Sequence, residues 1–460
     1  MAFLLQLFEL VIIILCFDFG ENFQINPLGN DQQLTEELRS LVMEDHFGYD
    51  ELLLTSCEKQ HQDKISLDFS NWKIKKLPEN FISSQLVTCF DLHDNKLETN
   101  QTFNIFKKHT NLEYLNLANN KFNLTMFLND ASHSKIRTLV LDNSRYSHYN
   151  YDRINFHLPN LEYLSLQRTH YASGCFGFYC FNFKSTNLTH LFLSNNLIGE
   201  ISSLILENFP TTLTHLFVDN CNISSYSYSQ EVSSNLISLS MDGNSFTCVN
   251  YFDECLNLKC YPNLKYLSLS NCKISDIDRD TFYSSPKLIY LDISKNKIKK
   301  LSEEVFYKTP ALESLNLNSN ELSKIPNLNI LGNLKKLYIN NNNITYLNQE
   351  SFSNLRNLQI LSLGSNNIHS IDGSVFYNLT NLIVLNLYGN KLSTFDYSPS
   401  YNLKYLILTN NLFSSMENIK LKNTTTKYLV ITDNPLMNIT LKTLKSFSED
   451  MMIVMKQKIA

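Results

Sequence analysis

Two stretches of this chain read almost alike, Leu188-Thr189-His190-Leu191-Phe192 and Leu213-Thr214-His215-Leu216-Phe217, and each holds a histidine at the same place. Paired imidazoles could begin a metal site, but neither stretch supplies a third ligand, and solvent-facing histidines are the plainer reading. Cys248, Cys255, Cys260 and Cys272 form the other metal-capable set. Their spacing contains no C-x-x-C pair, so zinc is the weaker reading and disulfides the stronger. Asp68, Asp91, Asp94 and Asp142 give the first third a mildly acidic character. No G-x-S-x-G, phosphate-loop, dinucleotide or H-E-x-x-H pattern occurs, and the 11 glycines leave little for a phosphate cradle. No catalytic residue, metal or cofactor is expected.

The two histidine stretches are copies of one motif, L-x-x-L-x-L-x-x-N-x-L, and that motif must position every side chain above. Clear copies run Leu112-Leu115-Leu117-Asn120-Phe122, Leu312-Leu315-Leu317-Asn320-Leu322 and Leu382-Leu385-Leu387-Asn390-Leu392. About sixteen copies recur roughly every 24 residues, within the leucine-rich repeat window. The L-x-L segment puts two apolar side chains on one side of a short strand and the intervening residues on the other. Asn then turns the chain, its amide meeting backbone groups that no sheet satisfies. It stands at 95, 120, 196, 244, 296, 320, 342, 366, 390, 411 and 434, that is Asn95, Asn120, Asn196, Asn244, Asn296, Asn320, Asn342, Asn366, Asn390, Asn411 and Asn434. Cys221 and Cys272 replace it twice, Ser144 and Thr169 offer a hydroxyl, and Trp72 occupies the first copy. Phe282, Phe306, Phe352 and Phe376 share one offset in the back half and predict a phenylalanine spine. The expected fold is an α/β solenoid, a curved leucine-rich repeat horseshoe with a parallel sheet on its concave face.

On that face the last five copies present Tyr338, Ile360, Val384, Tyr388, Tyr405, Ile407, Tyr428 and Val430 at outward strand positions. Contiguous apolar residues facing away from the core predict a protein-binding surface. The plainer reading is that β-branched and aromatic residues suit strands. The middle copies offer Tyr163, Phe192, Phe217, Tyr266 and Tyr290 in the same way.

The pattern divides the 460 residues into 1–20, a signal peptide; 21–63, an N-terminal cap; 64–436, the solenoid; and 437–460, a capping helix. Met1 to Phe17 is almost wholly apolar but too short to span a bilayer comfortably, hence the signal-peptide reading. An uncleaved anchor is the alternative. No further membrane span is expected, since no other apolar run approaches about 18 residues. The net charge of −5, with no strong basic stripe, argues against nucleic acid as a partner. Leu441, Leu444, Phe447, Met451 and Val454 have the spacing of a helix.

N-x-[ST] acceptors stand at Asn100, Asn123, Asn187, Asn222, Asn343, Asn378, Asn423 and Asn438. In a chain this rich in Asn, Ser and Thr, a similar number arises by chance. A secreted chain would bridge Cys175 to Cys180 and form one bridge among Cys248, Cys255 and Cys260, most simply Cys255–Cys260. Nine Cys remain once Cys16 leaves with the signal peptide, so an odd thiol is left, either Cys248 or, if it does not pair with Cys89, Cys57, able to bridge to a partner chain.

The repeat length, the Phe spine, the apolar N-terminus and the inserted cysteines resemble extracellular leucine-rich repeat proteins of the Toll-receptor-ectodomain type. In architecture the chain is most similar to soluble insect leucine-rich-repeat immune proteins. That resemblance implies secretion, non-catalytic binding of another extracellular protein and a role in recognition or innate immunity. The sequence departs from the broader family in lacking paired Cys-rich caps: once Cys16 leaves with the signal peptide, only Cys57 precedes the repeats, and no Cys follows them. It also carries no receptor membrane span, signalling domain or long coiled coil. The alternative is an intracellular repeat scaffold or enzyme regulator.

Overall fold

A computed structural model describes residues 65–455, apart from stretches of which the longest are 99–108, 122–134, 147–153, 172–180, 202–208 and 227–234. The described residues fall into two compact units, 65–274 and 275–455. Each is a stack of coils opening on a three- to five-residue strand, and each strand pairs in parallel with the next. The first unit stacks nine such strands, from Ile65–Asp68 to Tyr266–Ser268. The second stacks eight, from Tyr290–Asp292 to Met452–Val454. A strand appears in all sixteen copies of the motif, because each L-x-L buries its leucines on one side only.

Inward leucines such as Leu115, Leu164, Leu291 and Leu385 are fully buried, as are the opening leucines Leu112, Leu288 and Leu382. The Phe spine forms in part, as one stacked pair and two further buried rings. Phe282 and Phe306 stack with ring centres 6.3 Å apart, and Phe352 and Phe376 are buried behind their own strands. The shorter coil between Phe306 and Phe352 fills the spine with Leu328 and Leu331.

Helix is scarcer than an α/β description implies. Among the described residues the coil backs are turns, bends and short parallel pairs, such as Tyr346–Leu347 with Ser370–Ile371. The C-terminal segment also departs from the expected capping helix. Among its described residues only Leu441–Leu444 is α-helical, and Met452–Val454 instead adds a strand beside Tyr428–Val430. The open edge of that strand supplied what a helix could not: Met452 N donates to Lys427 O at 2.8 Å, and Ile431 N donates to Val454 O at 3.0 Å.

The asparagine position joins coil to coil. Asn320 Nδ2 donates to Leu317 O in its own coil and to Ile293 O in the preceding one, while its Oδ1 accepts from Ile298 N. Asn120, Asn342, Asn366, Asn390 and Asn411 repeat the pattern. The substitutes keep part of it. Cys221 Sγ donates to Leu193 O at 3.2 Å, and Thr169 Oγ1 to Leu166 O at 2.7 Å.

Two further periodic features accompany this ladder. In all sixteen copies the residue just before it has a left-handed φ, between 51° and 67°. Asn, Asp or Gly stands there in most, the residues that tolerate this conformation best; Arg168, Lys295, Ser319 and Ser365 are the exceptions. A second asparagine row stands immediately before the opening leucine. Asn111, Asn235, Asn333, Asn357, Asn381 and Asn402 each donate Nδ2 to a carbonyl of the preceding coil, at 2.8–3.0 Å.

Candidate binding face

Parallel pairing, in register everywhere but at Ile65–Ser66, puts equivalent side chains in columns across the strands. In the first unit Tyr163, His190 and His215 form one column. Ring centres are 4.4 Å apart for Tyr163–His190 and 4.1 Å for His190–His215, and the planes are nearly parallel. Each histidine Nδ1 lies 2.8 Å from the hydroxyl of the preceding threonine, Thr189 or Thr214. Burial, reinforced by His215, pushes the His190 pKa down to about 3, and burial lowers that of His215. Both rings are therefore neutral near pH 7. The solvent-facing reading of the pair is corrected for His190, which is buried. A metal pair gains no support either, since parallel ring planes aim their lone pairs alongside each other rather than at one ion. Among the described residues no three His, Cys, Asp or Glu side chains converge to hold a metal. Phe192 and Phe217 form the neighbouring column, 4.7 Å apart.

The acidic residues of this unit act mainly as internal ties. Asp142 accepts from Ser165 Oγ at 2.6 Å and from Gln167 N at 2.8 Å, and burial raises its pKa. Asp219 receives Ser194 Oγ, Ser240 Oγ and Asp242 N. Asp91 lies 2.6 Å from His93 Nδ1, and Asp68 accepts from Ser70 N, which lowers the Asp68 pKa. Each carboxylate thus serves a neighbouring coil or its own turn.

In the second unit the structure brings the sequence-selected apolar residues together. Ile360, Val384, Tyr405, Ile407 and Val430 form one cluster with Val454, and Tyr338, Tyr388, Tyr428 and Met452 pack against it. Tyr405 and Tyr428 stack with ring centres 5.2 Å apart. The cluster differs from the expectation in accessibility. Tyr405 is 2% exposed and Ile407 1%, because in-register neighbours shield one another, so a sheet face turned from the leucine core builds an apolar layer of its own. Tyr338, Tyr388 and Tyr428 are half-buried and form the accessible part. Sequence reading missed Val454 and Met452, which belong to a strand without the motif asparagine; the apolar run Met451 to Val454 was the available signal.

Cys89 and Cys248 are disulfide-bonded, with partner sulfurs outside the described residues. Cys248 is therefore not the odd thiol. Cys221 and Cys272 are free and buried, and burial raises both thiols to about 12. The expected Cys175, Cys180, Cys255 and Cys260 bridges lie outside the described residues, as do the acceptors Asn100, Asn123, Asn423 and Asn438.

In-register coils, leucine core and asparagine ladder define a leucine-rich repeat solenoid. Comparison agrees: the sequence model of the family described as "Leucine rich repeat" matches residues 262–322, 332–392 and 356–413. No curated protein matches the chain by sequence. Among solved structures the chain is similar to Toll of Drosophila in the glycosylated Toll–Spatzle complex, with 18% identity and a TM-score of 0.56. That alignment covers 76% of this chain and 54% of the Toll chain, so this chain spans about half its length. It is also aligned with the TLR13–ssRNA13 complex at 19% identity and a TM-score of 0.43, over 85% of this chain and 66% of that one. Among the described residues no helix is long and apolar enough to cross a membrane.

Proposed function

We propose that the chain is a secreted, non-catalytic binding protein that holds another extracellular protein on the sheet face of residues 338–454, in recognition or innate immunity. One observation carries the reading. An apolar layer runs in register across the strands from Lys336–Tyr338 to Met452–Val454, on the side of the sheet turned from the leucine core. Core stability alone does not require apolar residues there, and rigid tyrosines at the rim of such a layer suit a partner's side chains. The disulfides at Cys89 and Cys248 support an oxidising compartment. Toll, similar in fold, is named in a complex with Spatzle, described as a hub in development and innate immunity; an extracellular protein ligand is the corresponding expectation here.

The test uses the half-buried tyrosines. Tyr388→Ala with Tyr428→Ala should weaken capture of the partner from extracellular fluid at least tenfold, about 1.4 kcal/mol. Tyr405→Ala belongs in a different experiment, because truncating so buried a ring should cost about 3 kcal/mol or more of stability. Unchanged capture by the double variant, with loss on altering the insertions near Cys175 and Cys255, would move the site off this face.

A further inference from the structure

Four N-x-[ST] acceptors lie within the described residues, and the fold treats them unequally. Asn187, Asn222 and Asn343 are exposed, and none of their side-chain amides has a hydrogen bond among the described residues. Asn378 is half-buried, and its Nδ2, the atom that would carry a sugar, donates to Ser353 O of the preceding coil at 2.8 Å. Asn354, one coil earlier at the same offset, likewise donates to Asn329 O. This offset is thus a point of coil-to-coil closure.

The free amides occupy two places in the coil. Asn222 and Asn343 each follow the ladder residue, Cys221 or Asn342, beyond the turn that ends the strand. Asn187 stands in the second asparagine row, before Leu188, where six described counterparts bind the coil behind. Asn187 alone of these seven combines an acceptor motif with an unbound amide.

We infer that Asn187, Asn222 and Asn343 are N-glycosylation sites and that Asn378 is a closure residue left bare. The inference rests on the secretory reading of the chain. In the transfer, the Asn Nδ2–C1 bond of the sugar forms as the bond from C1 to the lipid pyrophosphate donor breaks. One amide proton leaves, and nothing is oxidised or reduced. At Asn378 a bulky glycan on Nδ2 would crowd the Ser353 carbonyl and open the joint between coils. At the other three sites the sugar projects from coil edges, beyond the ends of the strands of its own unit.

The full chain should be expressed in eukaryotic cells twice, once with its own N-terminus and once behind a strong secretion leader. Glycan occupancy is then read by peptide mass spectrometry after enzymatic deglycosylation in heavy-oxygen water. The leader-driven chain should carry glycans at Asn187, Asn222 and Asn343 and an unmodified Asn378. Asn343→Gln, Asn222→Gln and Asn187→Gln should each remove one glycan, whereas Asn378→Gln should remove none and lower the melting temperature. High occupancy at Asn378, or bare asparagines at the other three, overturns the inference. Failure of only the native N-terminus to direct the chain to the medium overturns the secretory reading instead, and the leader-driven pattern still decides the sites.

Discussion

At the scale of single residues, the repeat is held by side chains that serve the neighbouring coil more than their own. Asn320 is buried and satisfies Ile293 O, Leu317 O and Ile298 N together. Asn320→Ala strands these groups and should cost roughly 1–3 kcal/mol in denaturant unfolding; an unaltered midpoint would count against the ladder. The motif made this asparagine legible. The left-handed residue before it was equally written in the sequence, as Asp94, Asn119, Asn195 or Gly389, yet it takes the backbone angles to turn a run of small polar residues into a conformational requirement. His190 shows the opposite limit. Its type and spacing suggested a ligand or a solvated ring, and only the stacked neighbours reveal a buried one. That burial has a pH signature. In the unfolded chain His190 takes up a proton as pH falls through about 6.5, whereas the folded ring resists until about 3. The unfolded state therefore binds more protons within that window, and stability present above it is lost as pH falls. His190→Phe keeps the stack and should flatten the acid side of the stability curve relative to the parent. Parallel curves for the two proteins would mean that the ring is protonated in the fold.

At the scale of elements, sixteen strands were readable because the two-residue period of L-x-L has one buried side and the flanking residues are short. The seventeenth was not. Leu441, Leu444, Phe447, Met451 and Val454 have helical spacing, but the unpaired edge of Tyr428–Val430 offers backbone partners that an isolated helix lacks. Met452 and Val454 also extend the apolar layer over Tyr428 and Val430, so pairing gains both hydrogen bonds and burial. Tertiary context here overrides a short local period. Met452→Pro removes the donor to Lys427 O and should release this strand. Hydrogen exchange should then quicken at the Ile431 amide, which donates to Val454 O, while amides of the coils around Leu315 keep their protection. Equal loss at both places would mean that the unit opens as a whole and not from its edge.

At the scale of the whole molecule, coils that touch only their neighbours leave function to the faces and insertions, where the periodic signal stops. The apolar face was legible as a set of residues, but its division into shielded and accessible members depends on packing that a sequence does not carry. Cysteine reports on both the compartment and the closure of the chain. The Cys221 and Cys272 thiols are buried and pushed up to about 12, so almost no thiolate exists at neutral pH. In the native, unreduced protein an alkylating reagent should miss them; denaturant alone should expose both. Cys89 and Cys248 should react only when reductant is added as well, because they are already bonded. Because Cys248 is already bonded, a non-reducing peptide map should join it to Cys255 or Cys260 in place of a Cys255–Cys260 bridge. Free Cys89 and Cys248 in freshly isolated protein would point to a reducing compartment and remove the main structural support for secretion. Native labelling of Cys221 would instead show that the coils open at the ladder, where the asparagine pattern gives way to sulfur.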